Sequence, residues 1–284
     1  MPKIANSNSF SDPALMALTR LLIPYVAFFS AQFRVLLQYR AGALANVVTQ
    51  FVFGYVHIMV FEAFYASSTA SMPMSLREVI IYVWLTQGLL AMQPWGIDLE
   101  IRDKVRTGAI GYELLRPLKL YTLLYTRAMA MRTAPTLLRA IPLFAITFAF
   151  FGMELPPTWA SAAAYLIATF SALLLSAALT AFGSIVMFWT ISGDGIGRLM
   201  PICIIIFSGM LLPIPLCPEW AQPILQALPF RGLIDTPYRL YLGHLAPSEL
   251  PRLLAHQLIW TGIIILWSRW LLSRNVRKLV IQGG

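Results

Sequence analysis

The chain has 284 residues, a mean hydropathy of +0.71, 58% hydrophobic residues, only 12% charged ones and a formal net charge of +9. So little charge cannot coat a soluble globule of this length, which excludes a soluble enzyme or regulator and points to an all-α polytopic membrane protein. The basic excess would suggest nucleic acid in a soluble protein, but here it falls between apolar runs, so it reads as membrane topology with no nucleic-acid partner.

Residues 1–12 are polar. The run LLIPYVAFFSAQF, Leu21–Phe33, is short for a span and lies between Arg20 and Arg34. It is expected to lie along the cytoplasmic interface as a helix, making 1–40 a tail plus interface helix. A signal peptide is the rival, but Lys3 is the sole basic residue before Arg20 and no clear A-x-A site closes the run. Six spans are predicted within 41–272, at 41–65, 79–97, 134–152, 159–191, 199–216 and 253–272, each compared with the roughly 20 residues that cross a core of about 30 Å. The fourth is rich in Ala and Ser, small enough for neighbouring helices to approach closely. Between the fifth and sixth, residues 213–251 are half apolar and crowded with prolines, predicting one or two short helices that dip back into the outer interface as a re-entrant hairpin. Residues 273–284 read as a second cytoplasmic tail. With the N-terminus inside, 17 of the 21 lysines and arginines are cytoplasmic, leaving Arg77, Arg231, Arg239 and Arg252 outside.

Catalytic chemistry finds no support. His57, His244 and His256 have no second ligand at metal-binding spacing, and Cys203 and Cys217 belong to no C-x-x-C pair. Lys3, Lys104, Lys119 and Lys278 all follow residues other than Gly, so there is no Walker A loop and no resident cofactor is expected. SGDGIGR, 192–198, has three glycines but lies between apolar spans, and reads as a cytoplasmic turn. Asn46, Gln50 and His57 fall at i, i+4 and i+11, roughly one face of the first span, with Gln87 in the second and Phe207 in the fifth. These five are candidate translocation residues; the alternative is that polar groups there only bond helix to helix.

The main interruption is DLEIRDKVRTGAIGYELLRPLKL, Asp98–Leu120, with four acidic and five basic residues. IRDKVR has helical character, Gly108 and Gly111 break it, and Pro117 closes the segment beyond them. An anionic-lipid patch would be mostly basic, whereas interspersed signs suit a protein docking surface; an ordinary solvated loop is the alternative.

RTGAIGYELLRPLKL after the DLEIRD lead-in, FSGMLLPIPLCPEWAQPILQALPF at 207–230, TPYRLYLGH at 236–244 and the terminal VIQGG together resemble the type-2 ATP-binding-cassette (ABC) exporter permeases of the daunorubicin-efflux-like branch. The resemblance implies a six-span subunit with an N-terminal interface helix, a cytoplasmic coupling helix and an outer re-entrant hairpin. It also implies a second permease, identical or homologous, and two cytoplasmic ATPase subunits that bind ATP and Mg. It places ATPase coupling at Arg102, Lys104, Arg106, Glu113 and Arg116, with Arg20–Arg40 as a second contact and spans one, two and five along the pathway. The expected setting is the bacterial inner membrane with both termini cytoplasmic, and the expected cargo a hydrophobic drug or lipid-like molecule. An ATPase-independent secondary transporter or channel is the alternative, though no convincing internal repeat appears.

Overall fold

A computed structural model describes residues 13–68, 71–190 and 194–275. Among these residues every regular element is helical, and the protein is an all-α membrane protein. Helix α1, Pro13–Leu37, is followed across Gln38 and Tyr39 by α2, Arg40–Ser67. On α2 the buried residues Ala43, Val47, Gln50, Gly54, Ile58 and Phe61 recur every three or four positions and form one inward stripe. Val48, Val52, Val56 and Val60 are exposed. A helix apolar on both faces suits lipid or another membrane subunit on its outer side.

Helix α3, Leu76–Gly88, starts on a capping box in which Ser75 accepts from the Glu78 amide while Glu78 accepts from the Ser75 amide. It is buried on every side from Ile81 to Gly88. After a 3-10 turn at Leu90–Met92 the chain becomes irregular, although the sequence predicted a span through residue 97. The reason is Pro94, which has no N–H to donate and pushes Gln93 out of helical geometry.

The charged stretch folds as α4, Leu99–Arg106, and α5, Ile110–Leu114. Gly108 makes the break between them at φ 75, a left-handed conformation that costs glycine little. Gly111, predicted as part of the break, lies inside α5. Helix α6, Leu120–Phe150, begins well ahead of the expected 134–152 span. At 1.5 Å per residue its 31 residues extend about 46 Å, longer than the core of about 30 Å that a span must cross. Its N-terminal part is what α1 packs along.

Helix α7, Trp159–Thr190, is the centre of the bundle, packed by α4, α6, α8, α10 and α11. Ala168, Ala172, Ala177 and Ala178 are fully buried on it, so the expected close approach of neighbouring helices is realised. Helix α8, Asp194–Phe207, absorbs Gly195 and Gly197 of the expected SGDGIGR turn into its first turns; residues 192 and 193 lie outside the described residues. It stops short of the predicted residue 216 because Gly209 turns the chain at φ 85 and Pro213 comes soon after. The proline-rich segment then forms α9, Gln222–Ala227, and α10, Asp235–Leu242, before α11, Leu250–Asn275.

Helix α10 sits within the bundle. Tyr238 donates its hydroxyl to the Leu85 carbonyl of α3 at 3.1 Å and meets the Tyr82 ring edge-on at 5.1 Å. Tyr241 packs on Tyr165 of α7. Gln257 of α11 donates to the Ala168 and Gly232 carbonyls at 3.1 and 2.7 Å, satisfying backbone that water cannot reach. By length and composition α2, α6, α7 and α11 can each cross a membrane; α3 and α8 are shorter.

Candidate functional site

The short helix α4 owes its existence to its ends. Asp98 caps it, its carboxylate accepting from the Glu100 and Ile101 amides at 3.0 and 3.3 Å, an arrangement typically contributing about 1 kcal/mol. Glu100 lies in the first turn and Lys104 and Arg106 in the last, both favourable to the helix dipole. On its inner face Ile101 is buried with Ile110 of α5 in an apolar cluster containing Leu124, Ile185 and Leu271.

An alternating series of charges fixes α4 and α5 to α6. Arg127 of α6 binds the Asp98 carboxylate and reaches Glu100 at 2.5 Å. Lys104 lies 2.9 Å from Glu100 and 2.8 Å from Glu113. Glu113, buried on α5, also faces Arg116 at 3.2 Å. Asp98, Arg127, Glu100, Lys104, Glu113 and Arg116 thus form one connected network across three helices. The Lys104 hydrogen bond, opposed by partial burial and reinforced by Arg127, holds the Glu100 carboxyl below its usual pKa. Burial works against the charge on Lys104, but Glu113 and Glu100 outweigh it and raise its pKa. Helix α1 closes one side: the Tyr25 hydroxyl accepts from the Lys119 amide at 3.0 Å, and Phe28 and Gln32 wall a cavity of about 170 Å³ above Lys104 and Glu113.

The five predicted coupling residues therefore divide. Lys104, Glu113 and Arg116 build the mount. Arg102 stands 3.6 Å from Asp103, and Arg106 is exposed. Beside them are three exposed apolar side chains, Leu99, Tyr112 and Leu115, the last two 76% and 82% exposed.

Immediately before α4, the irregular end of the α3 segment has its carbonyls satisfied by side chains. Trp95 donates its indole N–H to the Leu90 carbonyl at 2.6 Å, Ser176 of α7 donates to Met92, and Arg132 of α6 donates to Gly96 at 3.4 Å. Arg132 is itself buried and donates from Nε to Thr180 at 3.0 Å. Irregular backbone among membrane helices persists only with such protein partners. Ile97 packs against Gly183 of α7 and Gly197 of α8, so the α4 mount is linked to both helices. Tyr39, Trp95, Arg102, Arg132 and Arg198 line an open groove of about 950 Å³ here.

The predicted pathway residues serve separate contacts. Gln50 is buried on the α2 stripe, and Gln87 is buried where α3 passes Gly54 of α2. Asn46 donates back to the Gly42 carbonyl of its own helix at 2.7 Å. His57 approaches the Leu211 carbonyl at 3.2 Å, joining α2 to the segment after α8. Phe207 packs on Phe230 at a centroid distance of 5.9 Å. Arg127 and Arg132, read from sequence only as positive topology signals, turn out to organise the site. A signal was present: with Ser176 and Thr180 spaced by four, α7 offers a polar strip on one face.

Among the described residues four long apolar helices, packed with shorter ones and with a charged helical mount, define a multi-pass membrane protein. The chain belongs to the ABC-2 family of transporter proteins, whose family model matches residues 51–283. Members are membrane components of ABC transporters and work with ATPase partners. Neither a search of curated proteins nor one of solved structures gave a match.

Proposed function

We propose that this chain is the permease subunit of an ABC exporter, with α2, α3 and its 3-10 extension, α6, α7, α8 and α11 as six spans. Helix α4 is then the coupling helix, α1 the interface helix, and α9 with α10 the outer re-entrant hairpin. Two cytoplasmic ATPase subunits bind ATP and Mg, and a second permease completes the membrane unit against the apolar outer face of α2. The chain works in a bacterial inner membrane with both termini inside, moving a hydrophobic drug or lipid-like molecule outward by alternating access.

The observation that carries this reading is the ion-paired mount. A helix of eight residues, charged and capped, is fixed to α6 and presents Arg106 outward, with Tyr112 of α5 and the following Leu115 exposed beside it. Exposed apolar side chains among charges suit a protein partner. A fixed mount passes a partner's displacement on, here through Ile97 to α7 and α8 and through Arg127 to α6. A nucleotide-driven change requires contacts that differ between two states, and this is where they would differ.

Charge reversal tests it. Arg102→Glu combined with Arg106→Glu should abolish transport-coupled ATP hydrolysis and weaken co-purification of the ATPase, with membrane insertion unchanged. Full coupled hydrolysis in the double variant sinks the assignment.

A further inference from the structure

Of the four basic residues that topology leaves on the far side, three meet in one place. Arg231 comes after α9, Arg239 lies on α10 and Arg252 on the first turn of α11, and together they line a pocket of about 390 Å³. Three guanidinium groups crowded at a membrane protein's end repel one another and lose hydration, so they need negative charge nearby. The protein supplies too little. Asp235 is fully buried and stands 3.7 Å from Arg239, a loose ion pair rather than a bidentate one. Glu249 is engaged in accepting from the Ala246 amide at 3.2 Å. Arg231 has a long bond of 3.4 Å to the Gln226 carbonyl, and the Nε atoms of Arg231 and Arg239 are buried with no hydrogen-bond partner among the described residues. Three cations against two carboxylates leave a net positive pocket even with both acids ionised.

The remaining wall decides the class of anion. Leu245 and Leu253 supply an apolar side beside the arginines, and His256 has its Nε2 3.3 Å from the Ala227 carbonyl. A planar guanidinium forks onto phosphate oxygens, and an apolar wall accepts the hydrocarbon next to such a head group. We infer that Arg231, Arg239 and Arg252 form a binding site for a phosphate group, presented either as the phosphodiester of an anionic lipid head group or as free inorganic phosphate. The site is separate from the α4 mount and stands or falls independently of the exporter reading.

The test uses the full-length protein in maltoside micelles, with its unfolding midpoint read by intrinsic fluorescence. Three probes are titrated: dihexanoyl phosphatidylglycerol, dihexanoyl phosphatidylcholine and inorganic phosphate. A saturable rise of the midpoint with phosphatidylglycerol alone identifies the lipid head group; a rise with phosphate, alone or as well, identifies a free-anion site. Exposed Arg252 should tolerate substitution, and Arg252→Gln should weaken the effective probe at least about tenfold, the loss expected when a charged, hydrogen-bonded contact is removed. Arg252→Lys, which keeps the charge but not the fork, should fall between. The inference is overturned if neither anion raises the midpoint, if phosphatidylcholine matches phosphatidylglycerol, or if Arg252→Gln, confirmed monodisperse, responds like the parent.

Discussion

Arg127 shows how one side chain can connect two helices. Its side chain is 12% exposed and holds both the N-cap carboxylate of α4 and Glu100, so removing it leaves Asp98 without its cation and Glu100 with Lys104 alone. Losing one partner of a fully buried pair costs about 3–5 kcal/mol, and the 53% exposure of Glu100 places the cost here toward or below the lower bound. Arg127→Ala should lower the unfolding midpoint and open the 99–116 segment to trypsin, while Arg127→Lys retains part of both. The polar side chains of the bundle interior need a different readout, because bonding helices and lining a path both make them buried. Gln50→Leu should change export while the ATPase still co-purifies; a fall in folded yield alone would mark Gln50 as a packing residue. The sequence identified Lys104 and Glu113 as belonging to an important stretch, yet their contact with each other depends on the Gly108 turn and could not be read from spacing.

At the level of elements, Gly108 separates two short helices that must fold back on each other for Lys104 to meet Glu113. A side chain in left-handed geometry costs about 1–2 kcal/mol, least for Asn, which visits that region more readily. Gly108→Ala should therefore reduce coupled ATP hydrolysis and raise protease sensitivity between α4 and α5, with Gly108→Asn closer to the parent. Equal behaviour of the two would mean that the turn carries no strain. The break in the α3 segment obeys the same logic in reverse: Pro94 causes it, though the predicted span ran through it, and the groups that make it tolerable, Ser176 and Arg132, come from distant helices.

The whole bundle is organised around α7, whose apolar window is 56% buried against 28% for that of α2. Its alanines admit α10 and α11 at close range, with Ala164 and Ala168 packed against Leu240 and Leu253. Overpacking a tight core costs about 1–3 kcal/mol, so Ala168→Leu should depress the yield of monodisperse protein. A leucine on the exposed face of α2, as in Val52→Leu, should leave that yield unchanged in the isolated chain. Ala168→Leu protein with parental yield and melting behaviour would show that α7 is not the tight centre described.

Composition and hydropathy by themselves determined an all-helical membrane protein, because a chain this poor in charge has no other stable environment. Proline and glycine punctuation likewise marked the Gly108 break and the short helices before α11, since these residues constrain backbone locally, whereas the span predicted through residue 97 passed over Pro94. Pairing was decided only by the tertiary structure. Arg127 with Asp98, Arg132 with Gly96 and Tyr238 with Leu85 join segments distant in sequence, and the meeting of Arg231, Arg239 and Arg252 depends on how three successive elements fold back on one another. The physical reason is that a hydrophobic pattern fixes which face of a helix turns inward but not which neighbour it meets. That choice rests on close packing and on satisfying each buried polar group.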